Sequence, residues 1–399
     1  MRRLACEPRP NFRDILDSEG MLWASETVDG HDVPYWTDSA YYSFSPAELD
    51  RLEAATDELW GMCLSAATWM LTTYDDRRLC LPEGSTRRLL ASLEEGDPGS
   101  HARFDLCLAR DGTPKMLEIN GDTPTMLVES AVSQWSWHEA NFPELDQWNS
   151  IHERLVGAWK KRVAAGQDDL HFAGLLHLVE EASTLAYLAD TAVQAGATTS
   201  LFDLSDVGLD VDSRRFVDGQ SLPIDVCYAL YPWEDLLVEP FGAHIETSGV
   251  RWIEPLWRSA LSTKALLAAL WHLYPGHPNL LPAYLDSPRD LREYVAKPFF
   301  GREGASIRVH AEGRDWTHGG QEHDESFCYQ QWWPLPDFDG NRPVIGAWVV
   351  DGHAAGMGIR ETDGPITDGG ARFVPHVIEA PAPAESTVQR WLAEDDVRL

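Results

Sequence analysis

The sequence predicts a mixed α/β fold. Three observations carry that reading. Two stretches alternate apolar and polar residues on either side of an Asp-Gly pair, the signature of a β-hairpin. One stretch reads strand, helix, strand, so a small parallel sheet is expected. Other segments repeat apolar residues every three or four positions, as helices do.

The elements run in order along the chain. Pro46 to Met70 reads as a helix entered at Ser45, an N-cap residue. The turn-rich run from Glu94 to Ser100 separates this helix from the first hairpin. In that hairpin Phe104 to Leu108 and Lys115 to Ile119 alternate around Asp111-Gly112. Val132 to Trp159 reads as helical and is rich in tryptophan. His171 to Leu178 reads as a buried strand, Glu180 to Ala195 as a helix stopped by Gly196, and Thr198 to Leu204 as a second strand. Ser262 to Tyr274 reads as a helix. Tyr294 to Lys297 and Ser306 to Val309 are short strands around a glycine-containing loop. Val344 to Val350 and His353 to Ile359 form the second hairpin around Asp351-Gly352.

Composition narrows the function. The chain has 399 residues, 64 Asp plus Glu and 32 Lys plus Arg, for a formal charge of −32. Nucleic acid is excluded as a partner, because neutralising phosphates needs clustered Lys and Arg. Anionic membrane surfaces are disfavoured for the same reason. The apolar share of 44% supports a packed core. The length suits two or three lobes. No apolar run approaches the ~20 residues of a membrane span, and the start shows no signal-peptide core. The six cysteines are scattered without a CxxC pair. That argues against a disulfide framework or structural zinc and for a reducing, cytoplasmic setting. The histidines show no HxxxH or HExxH pattern.

A two-residue turn at Asp111-Gly112 sets Asp105 opposite Glu118 and Arg103 opposite Asn120. Side chains alternate along strands, so all four share one face. Opposed acids repel. A divalent cation between them removes the conflict, and Asp, Glu and Asn supply the oxygen ligands that Mg²⁺ prefers. An ordinary charged surface hairpin fits the spacing equally well.

Further along, Lys264 begins a predicted helix, where a cation opposes the helix dipole but free N–H groups welcome an anion. A phosphate there reconciles the two; an exposed lysine is the simpler alternative. Lys297 precedes the loop Pro298 to Ser306, in which Gly304 and Ser306 are candidate phosphate contacts. Glycines let a backbone approach phosphate oxygens, but GxxG alone usually marks a turn, and no Walker A motif is present. Gln330 and Gln331, before Trp332-Trp333-Pro334, could read a base, or simply end a strand. Arg360 is a candidate phosphate clamp or a surface arginine. Glu234, in Tyr231-Pro232-Trp233-Glu234, is a candidate substrate contact.

Taken together, several blocks resemble the glutathionylspermidine synthase family. They are Arg103-Phe104-Asp105; Leu117 to Pro124; Tyr294 to Pro298 with Gly301 to Gly304; Pro334 to Gly340; and Gly356 to Glu361 with Asp363 to Asp368. The resemblance implies an ATP-grasp fold. Because the metal ligands precede the lysines, it implies a permuted one. It implies one ligase domain over residues 1–399, with a small α/β lobe at about 170–250. Asp105, Glu118 and Asn120 match the family's magnesium ligands, Lys264 and Lys297 its ATP-binding lysines, and Arg103 the arginine near the transferred phosphate. Asp122, Thr123 and Thr125 match the place where the family binds its peptide. The family's substrate-binding serines are replaced here by Thr123 and Thr125. The stretch before Arg103 is too short for the amidase that bifunctional members carry.

The implied chemistry is an ATP- and Mg²⁺-dependent ligation of a peptide or amino-acid carboxylate to an amine through an acyl phosphate. The negative net charge favours a cationic amine. Two other readings stand beside it. One is a non-catalytic nucleotide-binding protein. The other is a carbohydrate-acting hydrolase with paired acids and sugar-stacking aromatics, drawn from the 17 tryptophans.

Overall fold

A helix of 28 residues and three sheets organise the molecule. The structure is a computed structural model, and it describes residues 1–28, 31–319 and 326–380. The chain enters helix α1 (Pro46–Thr73) at Ser45. Glu48 accepts the Ser45 backbone N–H at 2.9 Å, and Pro46 sits in the first turn, where its missing N–H costs nothing. Leu52, Leu59, Cys63, Ala66 and Met70 recur at helical spacing and are fully buried. Truncating one of the larger of these to Ala would cost about 2–5 kcal/mol.

The first hairpin comes next as β1 (His101–Leu108) and β2 (Pro114–Asn120). Asp105 lies opposite Glu118, and Arg103 opposite Asn120. The route to that register differs from the two-residue turn expected. Ala109 N–H donates to Thr113 O at 2.9 Å, so the turn is longer by one residue and Leu108 pairs with Pro114. A β-bulge at Leu117 then shifts the register back between Leu106 and Asp105. The two departures cancel, and the four polar residues end on one face.

The tryptophan-rich region is not one helix. It is a π-helical turn (Glu129–Ser133), then α2 (Gln134–Asn141), then α3 (Ile151–Ala164), with a break at residues 142–150 that contains Pro143. Next come β3 (Asp169–Gly174), α4 (Val179–Gln194) and β4 (Thr198–Asp203), with β3 and β4 parallel. The expected strand to Leu178 stops at Gly174, and residues 175–178 turn into the helix. Strand β5 (Val226–Leu230), the short α5 (Trp233–Leu236) and β6 (Arg251–Ile253) complete this unit. The sheet is parallel throughout, in the order β6-β5-β3-β4.

The helix expected from Ser262 to Tyr274 is broken. Helix α6 (Ser259–Ser262) ends at an extended Thr263, ψ 135°, and α7 (Ala265–Leu273) starts beyond Lys264. A second antiparallel sheet holds β7 (Ala283–Tyr284), β8 (Tyr294–Pro298), β9 (Ile307–Ala311), β10 (Arg314–His318) and β11 (Phe327–Gln331), ordered β7-β11-β8-β9-β10. The glycine loop, residues 299–306, joins β8 to β9.

The central sheet is completed by β12 (Arg342–Val350), β13 (His353–Thr362) and β14 (Arg372–Val374), in the order β14-β13-β12-β1-β2. Asp351 and Gly352 both have positive φ, 53° and 81°, as the tight turn between β12 and β13 requires. Helix α1 packs its buried stripe on β12, β13 and α7. A cavity lies among the three sheets.

Candidate active site

A cavity of about 310 Å³ lies between the central sheet, the glycine-loop sheet and the carboxyl end of the parallel sheet. It is lined by Arg103, Asp105, Glu118, Asn120, Thr123, Thr125, Lys264, Lys297, Gly304, Gln330, Gln331 and Arg360. Asp122, Glu234 and Ser306 are not among its lining residues. Asp122 is buried behind it, Glu234 meets it through Arg302, and the Ser306 N–H donates to Gly319 O at 2.9 Å.

The electrostatics divide the cavity in two. At one end, two carboxylates carry four cations. Arg360 donates to Asp105 Oδ2 at 2.6 Å, and Arg103 to Asp105 Oδ1 at 3.2 Å. Burial alone would raise the Asp105 carboxyl, but Arg360 and then Arg103 outweigh it and hold it below its ordinary value. Glu118 Oε2 lies 3.6 Å from Lys264 Nζ and 3.6 Å from Lys297 Nζ. Burial is again outweighed by the two lysines, and Glu118 is held low. Burial lowers the Lys297 ammonium. The opposed acids are thus compensated by basic side chains, and this end keeps a surplus of two positive charges.

Local structure explains how three of the four cations arrive. The bulge at Leu117 leaves its carbonyl to accept from Lys297 Nζ at 2.8 Å. The break between α6 and α7 places Lys264 at the start of α7, tied to the glycine loop by its N–H on Phe299 O at 2.8 Å. Arg103 crosses Gly346 of β12, where a Cβ would come within 3.0 Å of Arg103 Cδ. It reaches Thr125 O at 2.7 Å.

Asp105, Glu118 and Asn120 present an all-oxygen donor set suited to Mg²⁺. Asn120 Oδ1 also accepts the Thr123 N–H at 3.0 Å, which orients the amide and leaves a lone pair. Gln330 turns its side chain to Met116 O at 3.2 Å, and the N–H groups of Gln331 and Trp332 are spent on Pro282 O and Glu293 O.

Another part of the cavity's surroundings is acidic, and sequence reasoning missed most of it. Glu180 and Glu181, in the first turn of α4, line the cavity. Burial raises both carboxyls, only partly offset at Glu180 by a hydrogen bond with Thr125. Behind them Glu129 is wholly buried and accepts from Tyr35 Oη at 2.7 Å and Trp23 Nε1 at 3.1 Å. Burial, then the nearby Glu180, push it up to about 7. Glu234 is likewise pushed up to about 7, by burial and then Asp122. One signal was available. Ligands in parallel sheets sit beyond the carboxyl ends of strands, which is where Glu180 and Glu181 come after β3.

Many of the tryptophans serve core packing. Trp36, Trp137, Trp159 and Trp348 are fully buried, and Trp332 and Trp333 are the tryptophans among the cavity's lining residues. That use in packing weakens the hydrolase reading. Among the described residues all six cysteines are free, and no helix is long and apolar enough to cross a membrane.

Residues 3–379 match the family model described as glutathionylspermidine synthase preATP-grasp. A Haemophilus influenzae protein named "Putative acid--amine ligase" is 39% identical over 357 residues, covering 86% of this chain and 90% of that protein. A trypanothione synthetase of Crithidia fasciculata and a bifunctional glutathionylspermidine synthetase/amidase of Escherichia coli are each 26% identical. These alignments cover 90% and 80% of this chain, but only 60% and 56% of those longer proteins. Among solved structures, a glutathione synthetase-like effector of Globodera pallida in its apo form superposes with a TM-score of 0.56 at 11% identity, covering 94% of this chain and 100% of that one. That likeness concerns the fold alone. The family model spans nearly the whole chain, and the chain therefore belongs to the glutathionylspermidine synthase preATP-grasp family.

Proposed function

We propose that this protein is an ATP-dependent carboxylate–amine ligase built on a permuted ATP-grasp fold. Residues 1–399 form one ligase domain, with the parallel sheet as a small lobe at about 170–250; residues 381–399 lie outside the described part. The observation that carries the reading is the four-cation end of the cavity. A surplus of two positive charges in a buried site suits a polyphosphate and leaves a non-nucleotide function without explanation.

Lys264 and Lys297 bind phosphates as point charges. Arg103 and Arg360 steady the charge shared between the phosphoryl group and the attacking carboxylate. Asp105, Glu118 and Asn120 would hold Mg²⁺, which neutralises phosphate charge when bound. Gly304, Ser306, Gln330 and Gln331 belong to the nucleotide side, through the glycine loop and the strand beside it. Asp122, Thr123, Thr125 and Glu234 belong to the acid-substrate side.

The substrate carboxylate attacks the γ-phosphate, giving an acyl phosphate and ADP. The amine then attacks the acyl carbon, and phosphate leaves. The glycine loop over the site excludes water, so the acyl phosphate meets amine before hydrolysis. The acidic end favours a cationic amine. Free cysteines and the small-molecule chemistry fit a cytoplasmic setting.

The test is a screen of peptide and amine pairs for ADP release, with the product identified by mass. ADP release that needs both partners, with a product lighter than their sum by one water, is expected. ATP binding without any acid-stimulated turnover would instead support the non-catalytic nucleotide-binding reading.

A further inference from the structure

One buried arginine grips the first hairpin from outside the cavity. Arg258 ends the short turn that leads into α6. It and Glu254 are each 1% exposed. Its guanidinium donates to three backbone carbonyls: Nε to Gly121 O at 2.7 Å, Nη1 to Pro98 O at 3.1 Å, and Nη2 to His101 O. The rings of Trp60 and Trp257 lie 4.9 and 5.6 Å from its Cζ. Glu254 balances the charge, with Oε2 3.3 Å from Arg258 Nε. The same carboxylate accepts the Ser100 N–H at 2.9 Å and the His101 N–H at 3.1 Å.

The three carbonyls belong to the two ends of one hairpin. Pro98 and His101 lead into β1, which carries Arg103 and Asp105. Gly121 follows β2, which carries Glu118 and Asn120. Gly121 also lies inside the turn that aims the Asn120 amide. There Asn120 Nδ2 donates to Thr123 O at 3.1 Å, and its Oδ1 accepts the Thr123 N–H at 3.0 Å. The segment that carries Arg258 holds this turn at two further points. Gly121 N–H donates to Ser262 Oγ at 3.0 Å, and a Cβ on Gly121 would fall 2.3 Å from Leu261 Cβ. Two residues after Ser262 comes Lys264, its Nζ 3.6 Å from Glu118 Oε2. Packing alone does not call for a buried ion pair here, since apolar residues of similar volume often stabilise a core as well or better. Nor is lysine equivalent: it has a point charge where the planar guanidinium reaches three carbonyls at once.

We propose that Arg258 is a positioning residue for the ligase site. Through Gly121 and the turn that orients Asn120, it fixes the metal-binding oxygens of β2 relative to the phosphate-binding Lys264. The inference rests on the ligase reading for what Asn120 and Lys264 hold. Arg258 itself touches neither nucleotide nor substrate and acts through the backbone.

Two variants of the full chain test it. Arg258→Lys keeps a charge opposite Glu254 but loses the planar fork. Arg258→Met combined with Glu254→Gln removes both charges and leaves neither unpaired. In each, the Mg²⁺ concentration for half of the Tm rise given by a non-hydrolysable ATP analogue should increase about ten- to a hundredfold. The KM of the amine in ADP release should hold steady. In the protein without metal or nucleotide, amide hydrogen exchange across residues 119–124 should quicken about tenfold or more. Exchange in α4 should not change. An unchanged Mg²⁺ requirement, unchanged exchange at 119–124, or loss of folding in both variants would each overturn the proposal; a lower Tm alone would make Arg258 a residue of the fold and not of the site. If the wild-type chain shows no Tm rise with Mg²⁺ and the analogue, the ligase reading fails, and the exchange result alone decides whether Arg258 holds the turn.

Discussion

Two groups of acids at and behind one cavity differ in how they are compensated. Asp105 and Glu118 are opposed on a hairpin, yet each is held below its ordinary value by two basic side chains. Glu129 and Glu234 are as deeply placed, but their surroundings add acids, and both are pushed up to about 7. Burial acts alike at both ends. The neighbours decide the outcome. The first end is complete only with an anion, the second only with protons or a cation. A catalyst that joins an activated carboxylate to an amine has use for both environments beside one cavity.

The largest expected effect breaks the cationic end. Asp105→Asn should lower acid-stimulated ADP release by about 10²–10³-fold, while a cooperative thermal transition persists. Wild-type turnover would remove Asp105 from the account. Next, Lys297→Met should raise the KM for ATP by about tenfold or more, through loss of a charged phosphate contact. The KM for the amine should hold steady. At the acidic end the pattern inverts. Glu180→Gln should raise the KM of a cationic amine by about tenfold without moving that of ATP. If both KM values move together, the ends are not separate.

A fourth prediction concerns stability and pH. Glu129 has a folded value of about 7 against 4.5 for the free side chain. Between those values the unfolded chain releases its proton first, so the native state loses stability as pH rises through that window. Below it both states are protonated, and the contribution is fully present. Buried His101 and His376, pushed down to about 3, act with the opposite sign as pH falls below 6.5. The informative quantity is therefore a difference. Glu129→Gln should gain Tm over the wild type progressively from pH 5 to pH 8, and a constant difference would contradict the assignment. The smallest effect lies far from both ends. Ser45→Ala should cost about 1 kcal/mol through the α1 cap and leave ADP release unchanged.

Legibility in the sequence divides along the same line. The cationic end could be read because hairpin alternation is local: Arg103, Asp105, Glu118 and Asn120 share a face through a period of two. Even there, the agreement came from two compensating departures, a longer turn and the Leu117 bulge. The break at Thr263 was hidden by continuous apolar spacing from Ser262 to Tyr274. The acidic end was largely invisible. Glu180 and Glu181 look like ordinary acids in a helix's first turn, where the dipole favours them anyway. Glu129, Tyr35 and Trp23 come from segments distant in sequence, and only tertiary packing joins them. The sequence points to Glu234, but its partner is Arg302 and not the open cavity.

The most direct measurement is a structure of the protein with Mg²⁺ and a non-hydrolysable ATP analogue. The triphosphate is expected among Lys264, Lys297, Arg103 and Arg360, with the metal on Asp105, Glu118 and Asn120 and no phosphate oxygen against Glu129 or Glu180. A triphosphate bound away from the four cations, or no nucleotide bound at saturating concentration, would contradict it.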